Sequence, residues 1–461
     1  MLFYKYNYLC YMEMKELYHK YQECGYKVTT DSRAISGGEI FFALRGENFD
    51  GNDYALKALE AGAALAVVND DIATDDPRFI RVADPFTTLQ QLAIYHRNNV
   101  HGDKRLPVVG LTGTNGKTTT KELIAAVLSK KYRVCATQGN LNNDLGVPLS
   151  LLKIRPDTEI AVIEMGASHP DDIAKLVKVS QPDYGLITNV GKAHLLGFGS
   201  FEGVKAAKGE LYNWLGSHEG SLIFLNEDDA DLREMASAQP CHCFGYGMKY
   251  QGAELLPSSA EQPFVRLRLG SDTISTKLIG GYNATNILAA MAVGEYFGVS
   301  RADAIAAIEA YTPSNGRSQM TRTASNTLIV DAYNANPSSM KSALDNFATA
   351  EAGFKVAMLG DMRELGADSV KEHVAIVSKL ADMVMTRQLD RIYLVGDEFN
   401  KALAEFSGKN LTLMTMAGPA FFYCGTSEEL AEFLKENPVE GALILIKGSR
   451  GIQMEKTIPS L

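Results

Sequence analysis

The chain has 461 residues, of which 46% are hydrophobic and 22% are charged, and this is the composition of an ordinary globular protein. A chain of this length is too long to fold around a single hydrophobic core, so we expect several domains. The net charge of -10 argues against a general nucleic-acid binder, since neutralising phosphates requires a basic surface.

The sequence predicts neither a signal peptide nor a membrane span. Its N-terminal segment MLFYKYNYLCYMEMKELYHKY is aromatic but has no uninterrupted apolar core, and no segment reaches the roughly 20 apolar residues of a membrane helix. The six cysteines are scattered, and Cys241 and Cys243 are too close for a zinc knuckle, so we expect reduced thiols. We therefore expect a cytoplasmic protein without membrane insertion, whose translation starts at Met1, Met12 or Met14. We also expect the protein to be a monomer.

Residues 1–104 are predicted to form a small α/β domain. The runs 39–44 and 64–68 are typical of buried strands, whereas 54–63 and 85–99 have helical patterns. The polar turn Asp31-Ser32-Arg33 precedes the first clear strand, and by itself it is typical of a surface turn with a solvated arginine. A short polar linker at 101–105 closes the domain.

A glycine-rich loop then follows the apolar run 107–111 and precedes a helical pattern at 121–130. Glycines let the backbone approach phosphates, and amides at a helix N-terminus bind anions. Lys117 adds a charge for the β/γ oxygens, and the Thr118 hydroxyl is a Mg²⁺ ligand in such loops. The general spacing places a glycine at position 111, where this chain has leucine, and Gly110 is the nearest glycine. The alternative is a glycine-rich turn with an exposed lysine, but the order of strand, loop and helix favours an ATP site.

Alternating strands and helices continue to the end of the chain and predict two further α/β domains. The central domain, 105–313, has a mostly parallel, doubly wound sheet, with an antiparallel excursion at 254–278 and an alanine-rich helix at 283–298. Turn chemistry at 313–317 marks the boundary to a C-terminal Rossmann-like domain, 314–461. Predicted strands of these two domains are 160–164, 184–189, 222–226, 328–331, 355–359, 391–395 and 442–446.

Three charged residues of the central domain are candidates for chemistry. Glu164 ends an apolar strand near the phosphate loop, which suits a Mg²⁺ ligand, although a helix-capping carboxylate fits the same pattern. His194 lies one loop beyond a strand end, where a metal or substrate role and a structural role are equally compatible with the pattern. Lys208 lies on a predicted helix with Glu210, and the pattern alone is typical of a solvated helix face.

Two polar segments follow strand ends in the C-terminal domain. Asp331, Tyr333 and Asn334 leave one strand, and the segment from Lys447 to Arg450 leaves another. We expect them to meet the central domain across a crevice, which is a common place for a ligand.

Together these motifs resemble one family, the ATP-dependent Mur ligases of peptidoglycan synthesis. The similarity runs nearly end to end, through the segments TDSRAISGGEIFFALRGENFDGNDY, GLTGTNGKTTT, GYNATN, SNGR, DAYNANP and KGSRG. Within the family, GNLNNDLGVPLSLL, EMGASHPDDI, DAYNANPSSM and MLGDMRELG resemble the member that adds D-alanyl-D-alanine. The sister enzyme that adds the third amino acid usually carries a D-N-P-R-type motif, which we do not find, and folylpolyglutamate synthetases share the architecture but not these motifs.

The resemblance implies a role for each matching residue. ATP is assigned to Gly113, Thr114, Asn115, Gly116, Lys117, Thr118, Thr119, Asn283, Asn286, Arg317, Asp331 and Tyr333. Mg²⁺ is assigned to Thr118, Glu164, His194 and Lys208, the last as a carbamate, which replaces the solvated position that the pattern alone predicts. Ser32 and Arg33 match the UDP-sugar site, Asn142 and Asn143 the muramoyl-peptide side, and Asn334, Lys447 and Ser449 the amino-acid side. The family's usual histidine before Asn283 is Tyr282 here. The implied catalytic residues are Lys117, Lys208, His194 and Arg317.

The implied reaction joins UDP-N-acetylmuramoyl-tripeptide to D-alanyl-D-alanine at the expense of ATP, through an acyl phosphate. Two anions meet in the first step, so two Mg²⁺ ions, Lys117 and Arg317 are needed to neutralise their repulsion. The alternatives are the sister ligase that adds the third amino acid, a folylpolyglutamate-synthetase-like ligase, a small-metabolite kinase and a non-catalytic nucleotide switch. The switch would need the loop but not Glu164, His194 and Lys208 together.

Overall fold

The structure, a computed structural model, describes residues 14–69, 76–102, 104–257, 262–313, 319–409 and 420–461. Among these residues, no helix is long and apolar enough to cross a membrane. Each described cysteine is a free thiol. The predicted boundary turn at 314–317, the start positions Met1 and Met12, and Arg317 lie outside the described residues.

The N-terminal unit is a small parallel sheet with helices against it. Its strands are β1 (Val28–Thr29), β2 (Ile40–Phe42), β3 (Arg45–Gly46), β4 (Phe49–Asp50), β5 (Leu65–Asn69) and β6 (Phe79–Val82). β1, β2, β5 and β6 lie side by side in that order and in parallel, while β3 and β4 form a separate antiparallel ribbon. Its helices span residues 14–23, Ala55–Glu60 and Pro85–Asn99, with 3-10 turns at Ser32–Ala34 and Gly51–Tyr54.

The central unit is built on six parallel strands. They are β7 (Val108–Thr112), β8 (Val134–Ala136), β9 (Ile160–Glu164), β10 (Tyr184–Ile187), β11 (Leu222–Asn226) and β12 (His242–Tyr246), in the order β12-β11-β10-β7-β9-β8. The chain passes to one side of β7 to form β8 and β9, and then to the other side to form β10. Loops that follow β7 and β10 therefore leave the sheet at its switch point, where doubly wound sheets bind ligands.

An antiparallel sheet and two helices complete the central unit. The strands are β13 (Ala253–Leu256), β14 (Phe264–Leu269) and β15 (Asp272–Ile279), paired in that order. The helices of the whole unit are Lys117–Leu128, Gly146–Leu151, Asp172–Ser180, Leu195–Phe198, Phe201–Gly216, Ala230–Ser237, Asn283–Tyr296 and Arg301–Ala310. The predicted antiparallel excursion is confirmed.

The C-terminal unit is a second six-stranded sheet. Its strands are β16 (Gln319–Arg322), β17 (Thr327–Asp331), β18 (Lys355–Gly360), β19 (Arg391–Val395), β20 (Phe421–Cys424) and β21 (Leu443–Lys447), in the order β16-β17-β21-β18-β19-β20. Only the pairing of β16 with β17 is antiparallel among these described strands. Its α-helices are Pro337–Thr349, Ser369–Met385, Asp397–Lys409 and Ser427–Glu436. Three α/β units with mostly parallel sheets confirm the predicted fold class.

The helix after the phosphate loop begins four residues before its predicted start. The pattern places its first residue at Lys121, but the structure begins it at Lys117. Threonines are weak helix formers, so Thr118–Thr120 carry little helical signal in the sequence. The Thr120 hydroxyl, however, donates to Asn286 Oδ1 over 3.0 Å and ties this turn to a neighbouring helix.

Gly110 belongs to the hydrophobic core and not to the phosphate loop. It lies in the middle of β7, where a Cβ atom would come within 2.9 Å of both Met165 Cε and Pro182 Cβ. Helices on both faces of a parallel sheet leave little space above a central strand. The glycine at 110 is therefore explained by close packing, and its misfit to the general loop spacing has no bearing on phosphate binding.

A buried arginine joins the N-terminal and central units. The Arg97 side chain, on the helix Pro85–Asn99, is 0% exposed and donates from Nη2 to Asp183 Oδ2 over 2.8 Å. The same carboxylate accepts from the backbone N of Val108, the first residue of β7, over 3.0 Å. A buried charge persists only when it is paired. This contact fixes the N-terminal unit against the base of the strand that carries the phosphate loop.

Candidate active site

A cleft of about 910 Å³ lies between the central and C-terminal units. The predicted site residues that line it are Thr114, Asn115, Gly116, Lys117, Thr118, Thr119, Asn142, Asn143, Glu164, His194, Asn283, Asn286, Asp331, Tyr333, Asn334 and Lys447. Gly113, Lys208 and Ser449 are not in its lining, and neither are Ser32 and Arg33. The Arg33 side chain is 88% exposed and pairs with Asp31, as expected of a surface turn.

The phosphate loop owes its shape to two glycines with positive φ. Gly113 has φ +143° and lies so close to Thr188 that a Cβ atom would fall 2.0 Å from its Oγ1. Gly116 has φ +79°, and a Cβ atom there would lie 2.8 Å from Asn286 Oδ1. Only glycine accepts both the torsion and the contact. Lys117 Nζ donates to the carbonyl oxygens of Gly113 and Thr114 over 2.7 and 3.1 Å, so the ammonium group is held over the loop.

Glu164 lies at the centre of the polar floor of the cleft. Its Oε1 accepts from Thr118 Oγ1 over 3.2 Å and from Asn142 Nδ2 over 2.8 Å. Its Oε2 is buried without a hydrogen-bond partner, 3.8 Å from Lys121 Nζ. The next helix begins only at Asp172, so these contacts exclude the alternative that Glu164 caps a helix.

The oxygens around Glu164 fit a Mg²⁺ ion. A hydroxyl and a carboxylate with a free buried oxygen are hard ligands, and Mg²⁺ in nucleotide sites takes few protein ligands beside phosphates and water. No group of three or more His, Cys, Asp or Glu side chains that could enclose a metal occurs within the described ranges. The residues thus suit an ion held jointly with a nucleotide and not a metal bound by the protein alone.

Lys208 is almost fully buried, which contradicts the solvated position that its sequence pattern predicts. It lies on the helix Phe201–Gly216, is 2% exposed, and donates to the backbone oxygen of Ala167, a residue of the cleft lining, over 3.3 Å. Burial, and secondarily the charge of Lys117, lower the pKa of Lys208 to about 7. Its neighbour Glu210 accepts from the backbone amides of Asp171 and Ala174, at the start of the helix Asp172–Ser180, so this helix face packs against protein.

His194 occupies a strained position at the end of the loop that follows β10. Its φ is +51°, and it precedes the short helix Leu195–Phe198. The ring nitrogen Nδ1 contacts the carboxylate of Glu364 in the C-terminal unit, and this contact lowers the pKa of Glu364. Non-glycine residues adopt this left-handed conformation rarely, so the tertiary structure helps to hold His194 in it.

Two asparagines form the floor beside Gly116. Asn286 Nδ2 donates to Asn283 Oδ1 over 2.8 Å, and Asn283 Nδ2 donates to the carbonyl oxygen of Ile279 over 2.8 Å. Both are buried at the start of the helix Asn283–Tyr296. Tyr282, at the position of the family's usual histidine, is 39% exposed and lines the cleft next to them.

An ion pair between Lys447 and Asp331 lies where the C-terminal unit faces the cleft. Lys447 Nζ bonds to Asp331 Oδ2 and donates to the carbonyl oxygen of Asn334 over 3.2 Å. The guanidinium of Arg450 lies 5.6 Å from the centre of the Tyr333 ring. The two segments after β17 and β21 thus meet at one rim, as predicted. Ser449 Oγ, behind them, accepts from Arg363 N over 2.9 Å.

Several cleft residues were not singled out by the sequence patterns. They are His169, Asp172, Lys175, Asn189, Ser338 and Glu364. Each follows the carboxyl end of a parallel strand, which is where ligands bind in such sheets. His169, Asp172 and Glu364 also belong to the motifs EMGASHPDDI and MLGDMRELG, so the sequence contained the evidence that could have identified them. Asn115 also bonds across the cleft, since its Oδ1 accepts from Asn336 Nδ2 over 2.8 Å.

A glycine-rich loop after a parallel strand, a buried carboxylate and a facing α/β unit across a cleft are typical of multidomain nucleotide-dependent enzymes. Comparison with known families gives three matches: "Mur ligase family, catalytic domain" at residues 26–100, "Mur ligase middle domain" at 111–294 and "Mur ligase, glutamate ligase domain" at 316–450. The chain belongs to the Mur ligase family.

Relatives and solved structures extend over nearly the whole chain. The UDP-N-acetylmuramoyl-tripeptide--D-alanyl-D-alanine ligase of Bacillus subtilis is 34% identical, covering 94% of this chain and 92% of the relative. The protein of that name from Escherichia coli is 33% identical, and the match covers 94% of this chain and 93% of that protein. MurF of Acinetobacter baumannii superposes with a TM-score of 0.79 at 31% identity, covering 94% and 93%. MurF ligase of Thermotoga maritima, solved in complex with ADP, superposes with a TM-score of 0.78 at 27% identity. The match covers 94% of this chain and 96% of that structure.

Proposed function

We propose that this chain is an ATP-dependent ligase that joins D-alanyl-D-alanine to UDP-N-acetylmuramoyl-tripeptide in the synthesis of peptidoglycan precursors. The observation that carries the proposal is near full-length similarity to proteins that bear this name, at up to 34% identity. The cleft supports it, because a phosphate loop on one side faces a separate α/β unit on the other.

ATP binds with its phosphates on the loop from Gly113 to Thr119. Lys117 and the loop amides neutralise the β- and γ-phosphates. Asn283 and Asn286 lie on the adenine side, and Asp331 and Tyr333 reach the nucleotide from the C-terminal unit. Arg317, outside the described residues, is assigned to ATP by the family resemblance alone. The relative from Thermotoga maritima, which was solved with ADP, supports this assignment.

Thr118 and Glu164 hold a Mg²⁺ ion, and His194 with a carbamylated Lys208 holds a second. When bound, these ions lower the repulsion between the anionic reactants. The neutral amine of Lys208 forms a bond to the carbon of CO₂ and releases one proton, which leaves a carboxylate in place of an ammonium. The low pKa and the burial of Lys208 support this step, because only the unprotonated amine reacts.

Catalysis by this chain consists of positioning and charge neutralisation. The tripeptide carboxylate attacks the γ-phosphorus, and the bond to the ADP oxygen breaks, which gives an acyl phosphate. Lys117 and Arg317 stabilise the transferring phosphoryl group. The dipeptide amine then attacks the acyl carbon, loses a proton, and phosphate leaves. Closure of the C-terminal unit excludes water, which would otherwise hydrolyse the acyl phosphate.

The three units divide the substrates among them. We assign 1–104 to the UDP end through Ser32 and Arg33, 105–313 to ATP, with Asn142 and Asn143 near the muramoyl-peptide, and 314–461 to the dipeptide. Asn334, Lys447 and Ser449 are the dipeptide-side residues, and Lys447 is held in place by its pairing with Asp331. We propose that the enzyme acts in the cytoplasm as a monomer.

The coupling of ATP use to both substrates tests the proposal. We expect purified protein to release ADP rapidly only when UDP-N-acetylmuramoyl-tripeptide and D-alanyl-D-alanine are both present, because the acyl phosphate turns over only when the amine takes it. ADP release can be followed with a coupled spectrophotometric assay. Rapid ADP release without the dipeptide would contradict the proposed order of events.

A further inference from the structure

One of the contacts between the central and C-terminal units joins two residues with strained backbones. His194, in the central unit, has φ +51°, and Glu364, in the C-terminal unit, has φ +65°. Glutamate rarely adopts the left-handed region and histidine does so only somewhat more often, so the surroundings hold both residues there. The Glu364 carboxylate contacts the buried His194 Nδ1, which makes no hydrogen bond of ordinary geometry to any described residue.

The backbone around Glu364 is fixed at successive residues. Its own carbonyl oxygen accepts from Leu196 N, two residues beyond His194, over 3.1 Å. Arg363 N donates to Ser449 Oγ over 2.9 Å, and Met362 N donates to His373 Nε2 over 3.0 Å. The loop after β18 is therefore a rigid support that holds the Glu364 carboxylate against the imidazole.

Of the other carboxylates that line the cleft, three have structural partners. Glu164 bonds to Thr118 and Asn142, Asp331 pairs with Lys447, and Asp172 accepts from the backbone amides of Ser168 and His169. The contact of Glu364 is instead with a ring nitrogen across the unit boundary. Its position is explained by that imidazole and not by local folding.

A carboxylate on Nδ1 decides which ring nitrogen keeps a free lone pair. In neutral histidine one nitrogen carries the proton, and a carboxylate acceptor draws that proton to the nitrogen it contacts. Histidines that bind a metal commonly donate their other N–H to such a carboxylate, which fixes both tautomer and ring orientation. A proton on Nδ1, on the side that faces Glu364, would leave Nε2 as the acceptor nitrogen of His194.

We propose that Glu364 is a positioning residue, which sets the tautomer and orientation of His194 when the C-terminal unit docks on the central unit. This inference rests on the proposed function for the role of His194 at the reaction centre. The inference adds a second role for the C-terminal unit. Besides binding the dipeptide, this unit orients His194, a residue on the phosphate side of the site. The site is therefore fully formed only in the docked arrangement.

The ring protonation of His194 in the ligand-free protein provides a direct test. At about pH 8.5, roughly two units above the ordinary histidine pKa, ¹⁵N NMR of histidine-labelled protein should show Nδ1 protonated and Nε2 bare. His194→Gln identifies the resonance. In Glu364→Gln the tautomers should mix, and Mn²⁺ should bind about tenfold more weakly in the presence of ADP, measured by electron paramagnetic resonance.

Glu372→Gln is the matched control. It removes the ion pair of Glu372 with Lys192 Nζ, 2.7 Å apart, at the same unit boundary, without touching His194. The His194 tautomer should stay as in the wild type in this variant. The proposal is overturned if Glu364→Gln leaves the tautomer unchanged, or if Glu372→Gln shifts it equally. If the tautomer responds only to Glu364 but the wild type forms no amide product, the proposed function fails and the positioning role stands.

Discussion

Lys208→Ala is expected to lower the rate of product formation by a factor on the order of 10² to 10³, with partial recovery in added acetate or formate. The proposed carbamate would supply a carboxylate at this position, and a small carboxylic acid can enter the volume that the missing side chain leaves. The rate is measured as amide product formed per minute, with and without the acid.

Lys205→Ala is the matched control for this experiment. Lys205 lies on the same helix but pairs at the surface with Asp231 and Glu234, each over 2.7 Å, and surface pairs contribute little. Its activity should remain near that of the wild type and should not respond to acetate. Wild-type activity in Lys208→Ala would refute the carbamate, as would a loss that no carboxylic acid relieves at any concentration.

The proposed carbamate of Lys208 predicts that the reaction depends on pH and on CO₂. The pKa of Lys208 is lowered to about 7, so the amine is mostly protonated and inert below that pH and neutral above it. Enzyme freed of CO₂ should therefore regain activity on addition of bicarbonate more completely at about pH 8 than at about pH 6.

Lys117→Met is expected to reduce the rate of ADP formation by a factor on the order of 10² to 10³ while the fold is retained. The methionine keeps most of the aliphatic chain but removes the charge that, in the proposed reaction, faces the transferring phosphoryl group. The Michaelis constant for ATP should rise as well, because the same ammonium group binds the ground-state phosphates. Both quantities come from one steady-state series.

Lys130→Met makes the same change at an exposed position just beyond the helix Lys117–Leu128, which begins at Lys117. It should leave the rate and the Michaelis constant for ATP unaltered. Far-ultraviolet circular dichroism verifies that both variants are folded. Equal activity of Lys117→Met and the wild type would contradict the assignment of this loop to the γ-phosphate.

Elements with an unbroken apolar run and a clear end could be predicted from the sequence. The strands 160–164, 222–226 and 391–395 have the predicted bounds, as does the helix Pro85–Asn99, which begins with an Asp84 cap and a proline. The carboxyl ends of β9, β17 and β21 also meet at one cleft as expected, because parallel strands present their ends at a common edge.

Features that depend on tertiary packing could not be predicted from local patterns. Lys208 has the spacing of a surface residue, yet its helix face packs beneath Ala167 at the cleft wall. Glu364 meets His194 only because two separate sheets face each other, and neither residue has a local signal for its left-handed backbone. Gly110 resembled a misplaced loop glycine until the packing of Met165 and Pro182 against β7 explained it.

The mass of the product tests the central claim most directly. Purified protein is incubated with ATP, Mg²⁺, UDP-N-acetylmuramoyl-tripeptide and D-alanyl-D-alanine, and the uridine-containing product is analysed by mass spectrometry. We predict that the nucleotide substrate gains one dipeptide less one water, in equal amount to the ADP formed. A product that gains a phosphate, or that forms only with a single amino acid in place of the dipeptide, would contradict the assignment.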